Sequence, residues 1–278
     1  MTTLVNGRET TSLPVADRGL QYGDGLFETI ALRAGLPLLW ERHLQRLTEG
    51  CQRLGLAPPD RLLLRQELDR IAGTGMRAVA KIILTRGASG RGYRPDAAGS
   101  GTRIVQRLAW PATPANAAHH GVALRWCATR LARQPRLAGL KHLNRLEQVL
   151  ARAEWQDEYA EGLMCDSDGL VIEGTKTNLF LVQADGTLVT PDLSQSGVAG
   201  VMRAQVLDSV TAMGLDCRVG PVTVGMIESA QELFLTNSLI GLWPIRQLEA
   251  RRYVVGPISK KIQATLQAAG CLAEPVSA

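Results

Sequence analysis

The stretch GLKHLNRLE at residues 139–147 marks the point where an irregular segment containing Pro and Gly gives way to a helical pattern. It places Lys141 between Leu140 and Leu143 in a chain that has few lysines. A lysine in a partly desolvated pocket loses its proton more readily and becomes a nucleophile or a base. A solvated lysine near a helix start remains open as the alternative, because most lysines are exposed.

A second polar stretch, VIEGTKTNLF at residues 171–180, joins two predicted strands. Glu173 ends the first strand, and a glycine followed by small polar residues precedes the second. Such a turn can face a ligand, because glycine permits a close backbone approach. A buried Glu173 would need a cationic partner, and a protonated pyridine ring nitrogen is one. A solvated hairpin fits the same pattern equally well.

Three further segments could bind an anion. The loop SGVAGVMR at residues 196–203 leads into a helix, whose free N–H groups and positive dipole end suit a phosphate. The segment LTNS at 235–238 ends a strand with three hydrogen-bonding side chains, and Arg46 lies on a predicted helix. Each has a plain alternative: a helix that starts after glycine, a capped strand end and an exposed helix arginine.

The net charge of +5 comes mostly from arginines that are scattered along the chain. The sequence lacks the basic block or aromatic-interleaved stripe of a nucleic-acid module, so we expect no nucleic-acid partner. A small anionic substrate explains these arginines better than a nucleic acid does, because a guanidinium group can bind a carboxylate or a phosphate through two hydrogen bonds. A GC-rich genome that favours arginine codons would produce the same composition.

The sequence also predicts a cytoplasmic protein without a membrane partner. No apolar run reaches the roughly 18 residues that a membrane span needs. The N-terminus lacks the basic start and apolar stretch of a signal peptide. The five cysteines form no CxxC pair, which predicts reduced thiols and no metal site.

Strand and helix patterns mix without a regular β–α–β repeat, which predicts an α+β fold. Predicted strands lie at about 25–33, 79–84, 103–108, 122–127, 162–165, 170–173, 178–182 and 232–235. Predicted helices lie at about 40–51, 60–71, 143–155 and 259–269, and one more opens at about 201. The Asn-Gly pair at 6–7 predicts a hairpin.

The Pro- and Ala-rich stretch at 111–121 has no periodicity and is the best candidate linker. We therefore predict a smaller N-terminal domain at 1–112, a linker at 113–121 and a larger cofactor-binding domain at 122–278. Ligand sites favour such domain boundaries.

Together these segments resemble the fold-type-IV pyridoxal-phosphate enzymes, which include branched-chain aminotransferases, D-amino-acid aminotransferases and aminodeoxychorismate lyases. The likeness spans nearly the whole chain, from the Asn-Gly pair through DRGLQYGDGLFET at 17–29 to Pro244. Residues 141–148, KHLNRLEQ, and 85–93, TRGASGRGY, look like the lyase version. Branched-chain aminotransferases carry a tyrosine five residues after the lysine, where this chain has Leu146, which argues against that branch.

The resemblance implies a two-domain fold with pyridoxal 5′-phosphate in the interdomain cleft, and a homodimer. It implies that Lys141 holds the cofactor covalently and that Glu173 pairs with the pyridine nitrogen. The implied phosphate ligands are Arg46, the backbone of Val201 and Met202, and the Ser238 hydroxyl. Candidates for contact with substrate carboxylates are Arg91, Tyr93, Arg86 and Arg145, although Arg145 fits a structural ion pair with Glu147 equally well.

The implied reaction converts 4-amino-4-deoxychorismate to 4-aminobenzoate and pyruvate in folate biosynthesis. An aminotransferase acting on a D- or branched-chain amino acid would use the same lysine to move a proton. The cofactor site therefore cannot separate the two activities, and only the substrate pocket can. A protein that binds the cofactor without catalysing a reaction is disfavoured, because it has little need of the Glu173 carboxylate to keep the cofactor ring nitrogen protonated.

Overall fold

The computed structural model describes residues 2–95 and 101–273, and the chain divides into two compact units. The first unit consists of Met1–Pro111 and Leu140–Asn144, and the second consists of Ala112–Gly139 and Arg145–Ala278. The predicted linker at 113–121 falls inside the second unit, where part of it is helical. The segment that carries Lys141 belongs to the first unit, which a single boundary near 112 did not predict.

Fifteen strands and eight helices form the described part of the chain. The strands are β1 (Thr2–Val5), β2 (Arg8–Glu9), β3 (Gly25–Arg33), β4 (Leu36–Pro37), β5 (Arg77–Thr85), β6 (Thr102–Leu108), β7 (Val122–Trp126), β8 (Glu161–Cys165), β9 (Val171–Gly174), β10 (Asn178–Val182), β11 (Leu188–Pro191), β12 (Cys217–Gly220), β13 (Glu232–Asn237), β14 (Gly241–Leu248) and β15 (Arg251–Arg252). The helices are α1 (Arg18–Tyr22), α2 (Trp40–Leu54), α3 (Arg61–Ala72), α4 (Ala117–His120), α5 (Leu146–Arg152), α6 (Val201–Ala212), α7 (Val224–Ser229) and α8 (Pro257–Ala268).

The first unit contains an antiparallel sheet with the strand order β2-β1-β6-β5-β3-β4. Asn6 and Gly7 join β1 to β2 with φ values of 49° and 80°, as a two-residue type I′ turn requires. Helix α2 packs on β3, and α3 packs on β1, β5 and β6. The buried face of α2 includes Leu44, Leu47 and Cys51, whose helical spacing forms one apolar stripe.

The second unit contains a mixed sheet in which β12-β11-β10-β13-β14-β7-β8-β9 are successive neighbours. Strand β9 pairs with β10 as well as with β8, so the path from β10 to β9 closes on itself. The closing pair is Glu173 opposite Asn178. Phe180 of β10 and Phe234 of β13 are fully buried and stack with ring centroids 5.0 Å apart.

Most predicted elements are confirmed, with ends that move by three residues or fewer. The helix predicted at 143–155 is three residues shorter at each end, because α5 covers Leu146–Arg152 and the residues before it pair with β3. In that extended segment the Leu143 N–H donates to the Gly25 carbonyl at 3.0 Å, so pairing with β3 replaces the first helical turn.

Among the described residues, no helix combines the length and apolar character that a membrane crossing requires. The same part of the chain contains no group of three or more His, Cys, Asp and Glu side chains arranged to hold a metal ion.

Candidate functional site

Lys141 lies in the extended segment that pairs with β3 in the first unit. The Phe27 N–H donates to the Lys141 carbonyl at 2.9 Å, and the lysine Nζ lies 4.3 Å from the Phe27 ring centroid. Gly25 permits this pairing, because a Cβ there would collide with the Leu84 carbonyl and with Leu143. The backbone of Lys141 is therefore fixed, and its half-buried amine lies over an aromatic face.

Arg46 belongs to a buried charge cluster on α2 and β3 of the same unit. Its Nε donates to Glu28 Oε1 at 2.8 Å and its Nη2 donates to Glu28 Oε2 at 2.5 Å. His43 Nδ1 lies 2.6 Å from Glu28 Oε2. The Glu28 carboxylate therefore orients the guanidinium that the sequence assigns to the cofactor phosphate, an assignment that stays a prediction.

The pKa values of this cluster follow from burial and charge. Burial raises the pKa of Glu28, but the charges of Arg46 and His43 and the hydrogen bonds from both outweigh it and lower that pKa to about 2. Burial lowers the pKa of His43, although the Glu28 charge opposes this shift. Both groups bind fewer protons in the folded protein than in the unfolded chain at acid pH.

We expect acid to destabilise the protein through Glu28. Because the folded pKa is depressed from 4.5 to about 2, its contribution is complete above pH 4.5 and is lost as the pH falls towards 2. The full contribution is about 3 kcal/mol. In urea unfolding between pH 7 and pH 3, the free energy of unfolding should fall more steeply for wild type than for Glu28→Gln. The variant should be less stable than wild type at pH 7, because Arg46 loses its buried partner.

Glu41→Gln provides the matched control for this acid-stability measurement. Glu41 is an exposed carboxylate on the same helix, where it pairs with exposed Arg61. Its replacement should leave the pH dependence of unfolding as in wild type. Equal pH slopes for wild type and Glu28→Gln would contradict the assigned role of Glu28.

Glu173 is buried at the end of β9 in the second unit. Its Oε2 accepts hydrogen bonds from the Val198 N–H at 2.8 Å and from Asn178 Nδ2 at 3.3 Å. Hydrogen bonds donated to a carboxylate favour its ionised form, which is the form that a protonated ring nitrogen needs.

Arg145 interacts electrostatically with two carboxylates of the second unit, Glu173 and Glu147. Burial lowers the pKa of Arg145, and both carboxylates oppose that shift. Glu147 also accepts a hydrogen bond from the Ala132 N–H at 2.8 Å. The interaction with Glu147 fits the structural alternative, while the one with Glu173 ties Arg145 to a predicted cofactor ligand.

Helix α6 presents an N-terminus without a side-chain cap. Its first residues are Val201 and Met202, whose backbone N–H groups lie at the positive end of the helix dipole. Gly200 precedes them, and a Cβ there would collide with Asn178 Oδ1. An uncapped N-terminus of a twelve-residue helix is a suitable seat for a phosphate.

Two buried hydroxyls of the second unit, Ser196 Oγ and Thr236 Oγ1, have no hydrogen-bond partner among the described residues. Ser196 lies in the loop before α6, and Thr236 pairs with Asn178 across β13 and β10. Ser238 follows directly after β13 and is half-buried. Buried polar atoms without partners require an explanation, and a polar ligand is one.

Arg86 is held by other parts of the first unit. Its Nε and Nη2 donate to the Asp24 carboxylate at 2.8 and 3.1 Å. Further hydrogen bonds run from Nη2 to the Leu54 carbonyl and from Nη1 to the Gly55 carbonyl, both at 2.8 Å. This geometry favours a structural role for Arg86 over substrate binding.

Arg91 and Tyr93 are exposed in the first unit. The Tyr93 side chain is 86% exposed, and its ring meets the Tyr22 ring edge-on at a centroid distance of 5.5 Å. Arg18 donates to the carbonyls of Gly92 and Tyr93 at 2.8 and 3.0 Å, which anchors this loop. Substrate contact by Arg91 and Tyr93 stays a prediction.

Sequence analysis gave no role to three polar residues that organise these regions: Glu28, Glu161 and Asn178. Glu161 and Asn178 each begin a strand that is otherwise apolar, EGLMC and NLFLV. A polar residue at the start of a fully buried strand needs an internal partner. That signal could have identified both residues, although it does not name the partner.

The chain is similar to proteins of known classes over most of its length. The family model of amino-transferase class IV matches residues 25–248. An aminodeoxychorismate lyase of Vibrio harveyi is 36% identical over 270 residues, which cover 94% of this chain and 98% of that protein.

Solved structures are also similar to this chain over most of its length. The crystal structure of 4-amino-4-deoxychorismate lyase from Pseudomonas aeruginosa matches with a TM-score of 0.91 and 51% identity, covering 96% of this chain and 98% of that chain. A hypothetical aminotransferase from Mycobacterium tuberculosis, in a PLP-bound form, matches with a TM-score of 0.83 and 23% identity. This match covers 97% of this chain and 98% of that chain, and it shows a similar fold only.

Proposed function

The chain belongs to the amino-transferase class IV family, and from this premise we propose that it is a pyridoxal-phosphate-dependent lyase. Its reaction converts 4-amino-4-deoxychorismate to 4-aminobenzoate and pyruvate in folate biosynthesis. The observation that carries this proposal is the 51% identity to a lyase over 96% of the chain. Leu146, at the place where branched-chain aminotransferases have tyrosine, agrees with it.

The chemistry of these residues, taken in each unit by itself, fits pyridoxal phosphate. In this proposal Lys141 attaches the cofactor covalently and Glu173 contacts the ring nitrogen. The proposed phosphate ligands are Arg46, the backbone of Val201 and Met202, and Ser238. Support comes from the uncapped start of α6, from the hydrogen-bonded Glu173 carboxylate and from the buried hydroxyls of Ser196 and Thr236.

Bound pyridoxal phosphate supplies an electron sink for negative charge on the carbon that bears the substrate amine. Once the substrate amine has displaced Lys141 from the cofactor, the freed Lys141 Nζ would act as the base that takes the proton from C4 of the substrate. The Glu173 carboxylate would keep a proton on the ring nitrogen, which would deepen the electron sink. The bond from the ring to the enolpyruvyl oxygen would then break, and the enolpyruvate that leaves would take up a proton to become pyruvate. Formation of the aromatic ring favours this step. Arg91, Tyr93 and Arg145 are the proposed partners of the two substrate carboxylates.

The decisive experiment for this proposal supplies 4-amino-4-deoxychorismate to the holoenzyme without any oxo acid. A lyase releases 4-aminobenzoate and pyruvate in equal amounts under these conditions. A parallel panel of D- and branched-chain amino acids with 2-oxoglutarate or pyruvate tests the aminotransferase alternative. Amino-group transfer in that panel, with no 4-aminobenzoate formed in the first assay, would overturn the lyase.

We also propose that the protein is a homodimer. Helix α5 exposes Leu146, Val149 and Leu150, whose exposed fractions are 75%, 59% and 61%. Their spacing places them on one helix face. Contiguous exposed apolar residues often mark a protein interface, and a second copy of this chain is the occupant that the family likeness supports.

The dimer proposal predicts the effect of a double substitution on α5. Leu146→Arg with Leu150→Arg should convert the dimer to a monomer in sedimentation velocity, because two charges on each copy cannot be buried unpaired. Leu62→Arg is the control, since Leu62 is a 73% exposed leucine on α3. A double variant that sediments as wild type would refute α5 as the interface.

A cytoplasmic location is proposed as well. All five cysteines are free, and four of them are buried, as in proteins of reducing compartments. Fractionation of cells that produce the protein tests this location, and recovery outside the cytoplasmic fraction would contradict it.

A further inference from the structure

Asn178 lies where the sheet of the second unit closes on itself. Its backbone is paired with Glu173 across β9 and β10. Its side-chain Nδ2 donates to Glu173 Oε2 at 3.3 Å and to the Val198 carbonyl at 2.9 Å. The Val198 N–H donates to the same Glu173 oxygen at 2.8 Å. Glu173, Asn178 and Val198 therefore form a closed triangle of hydrogen bonds.

A buried carboxylate fixes the turn that leads into Asn178. Glu161 is 0% exposed and lies at the start of β8. Its Oε1 accepts from the Thr175 N–H at 3.1 Å and from the Thr175 hydroxyl at 2.5 Å. Its Oε2 accepts from the Lys176 N–H at 3.3 Å and from the Thr177 hydroxyl at 3.2 Å. Thr175, Lys176 and Thr177, which form the turn, all donate hydrogen bonds to the Glu161 carboxylate. These bonds fix the turn and so limit where Asn178 can lie.

The other side of Asn178 packs against the start of α6. Gly200 is the N-cap of that helix, and a Cβ at this position would overlap Asn178 Oδ1. Gly197, with φ of 83°, allows the loop to bring the Val198 N–H to Glu173. Asn178 therefore contacts both the carboxylate and the loop that leads to the uncapped helix start.

We propose that Asn178 is a positioning residue that fixes the Glu173 carboxylate relative to the α6 N-terminus. The inference rests on the proposed function in one respect, that Glu173 and α6 contact the ring nitrogen and the phosphate of one cofactor. The ring nitrogen and the phosphate belong to one small molecule, so the two protein groups that would hold them must keep a compatible separation. Asn178 supplies that link through a side-chain amide that is itself buried.

Asn178→Asp tests this role, because aspartate keeps the shape of asparagine but cannot donate when ionised. It also places a like charge beside Glu173 Oε2. The pH titration of the visible absorbance band of the bound cofactor reports the proton on the nitrogen that links the cofactor to Lys141, and the charge on the ring nitrogen shifts the midpoint of that titration. We expect its midpoint to rise in Asn178→Asp, because the added negative charge favours the protonated form of the linking nitrogen.

Turnover should fall by about 10- to 100-fold, the range in which outer-shell hydrogen bonds that orient functional groups usually act. KM should change by less than about threefold, because the contact between Glu173 and the ring nitrogen stabilises the transition state more than the bound substrate. Asn178→Ala should also raise the midpoint, because a displaced Glu173 would leave the ring nitrogen without its proton, and an uncharged ring no longer disfavours protonation of the linking nitrogen. Its thermal unfolding temperature then shows how much of its effect is loss of stability.

Gln263→Ala is the matched control. Gln263 is another buried amide of the second unit, and its Nε2 donates to the carbonyls of Ala118 and Leu242 at 2.7 and 3.0 Å. It should lose stability without moving the titration midpoint. An unchanged midpoint in Asn178→Ala would overturn the positioning role. Failure of the proposed lyase reaction is separate, because the absorbance titration needs no substrate.

Discussion

Replacing Lys141 with alanine should abolish covalent cofactor attachment and reduce turnover of 4-amino-4-deoxychorismate by at least about 10⁴-fold. Proton transfer by a positioned side chain alone raises the reaction rate by about 10²–10⁴-fold, and the variant also loses the covalent link to the cofactor. The Lys141 carbonyl accepts the hydrogen bond from the Phe27 N–H of β3, and alanine keeps this carbonyl, so the segment should keep its conformation. Absorbance spectra of the variant with added pyridoxal phosphate, together with product assays, measure both losses.

Lys81→Ala is the informative control for this experiment. Lys81 on β5 is a second lysine near Phe27, with its Nζ 5.7 Å from the ring centroid compared with 4.3 Å for Lys141. The control should retain the absorbance of a covalently bound cofactor. Loss of that absorbance in Lys81→Ala, with retention in Lys141→Ala, would reverse the assignment of the two lysines.

Replacing Glu173 with glutamine should reduce turnover by about 10²–10³-fold, the usual effect of removing one preorganised electrostatic partner. Glutamine keeps an oxygen that can accept from the Val198 N–H, so the loop before α6 should stay in place. It removes the negative charge that keeps a proton on the ring nitrogen, which weakens the electron sink. Steady-state kinetics should show the loss mainly in kcat.

Glu232→Gln separates this electronic effect from loss of structure. Glu232 is also a buried carboxylate of the second unit, and it accepts hydrogen bonds from the N–H groups of Ile258 and Ser259 at the start of α8. The control should lower thermal stability and leave kcat within about twofold, as for changes that touch no reacting group. Wild-type kcat in Glu173→Gln would contradict the ring-nitrogen role.

Local patterns were sufficient to predict much of the fold. The strand at Gly25–Arg33 and the helix that opens at Val201 agree with prediction, because alternation and helical spacing are properties of neighbouring residues. The Asn6-Gly7 turn was equally local. Five strands were not predicted, namely β4, β11, β12, β14 and β15. Of these, β4 and β15 have two residues each, which carry too little pattern to be recognised.

Long-range pairing explains what the sequence did not predict. Lys141 lies in an extended segment because β3, more than a hundred residues earlier in the chain, accepts and donates its backbone hydrogen bonds. The closure of β9 on β10 brings Asn178 to Glu173, and no spacing rule indicates the bond to Val198. The sequence also could not show that Glu28 orients Arg46, because their pairing depends on how α2 packs on β3.

Borohydride reduction of the holoenzyme, followed by proteolysis and mass spectrometry, identifies the lysine that carries the cofactor. Reduction makes the link permanent, so the modified peptide can be sequenced directly. We expect the phosphopyridoxyl mass on the peptide that contains Lys141, and unmodified peptides for Lys81 and Lys176. A label on another lysine, or no label in a protein that has bound the cofactor, would contradict the assignment of Lys141 and the chemistry built on it.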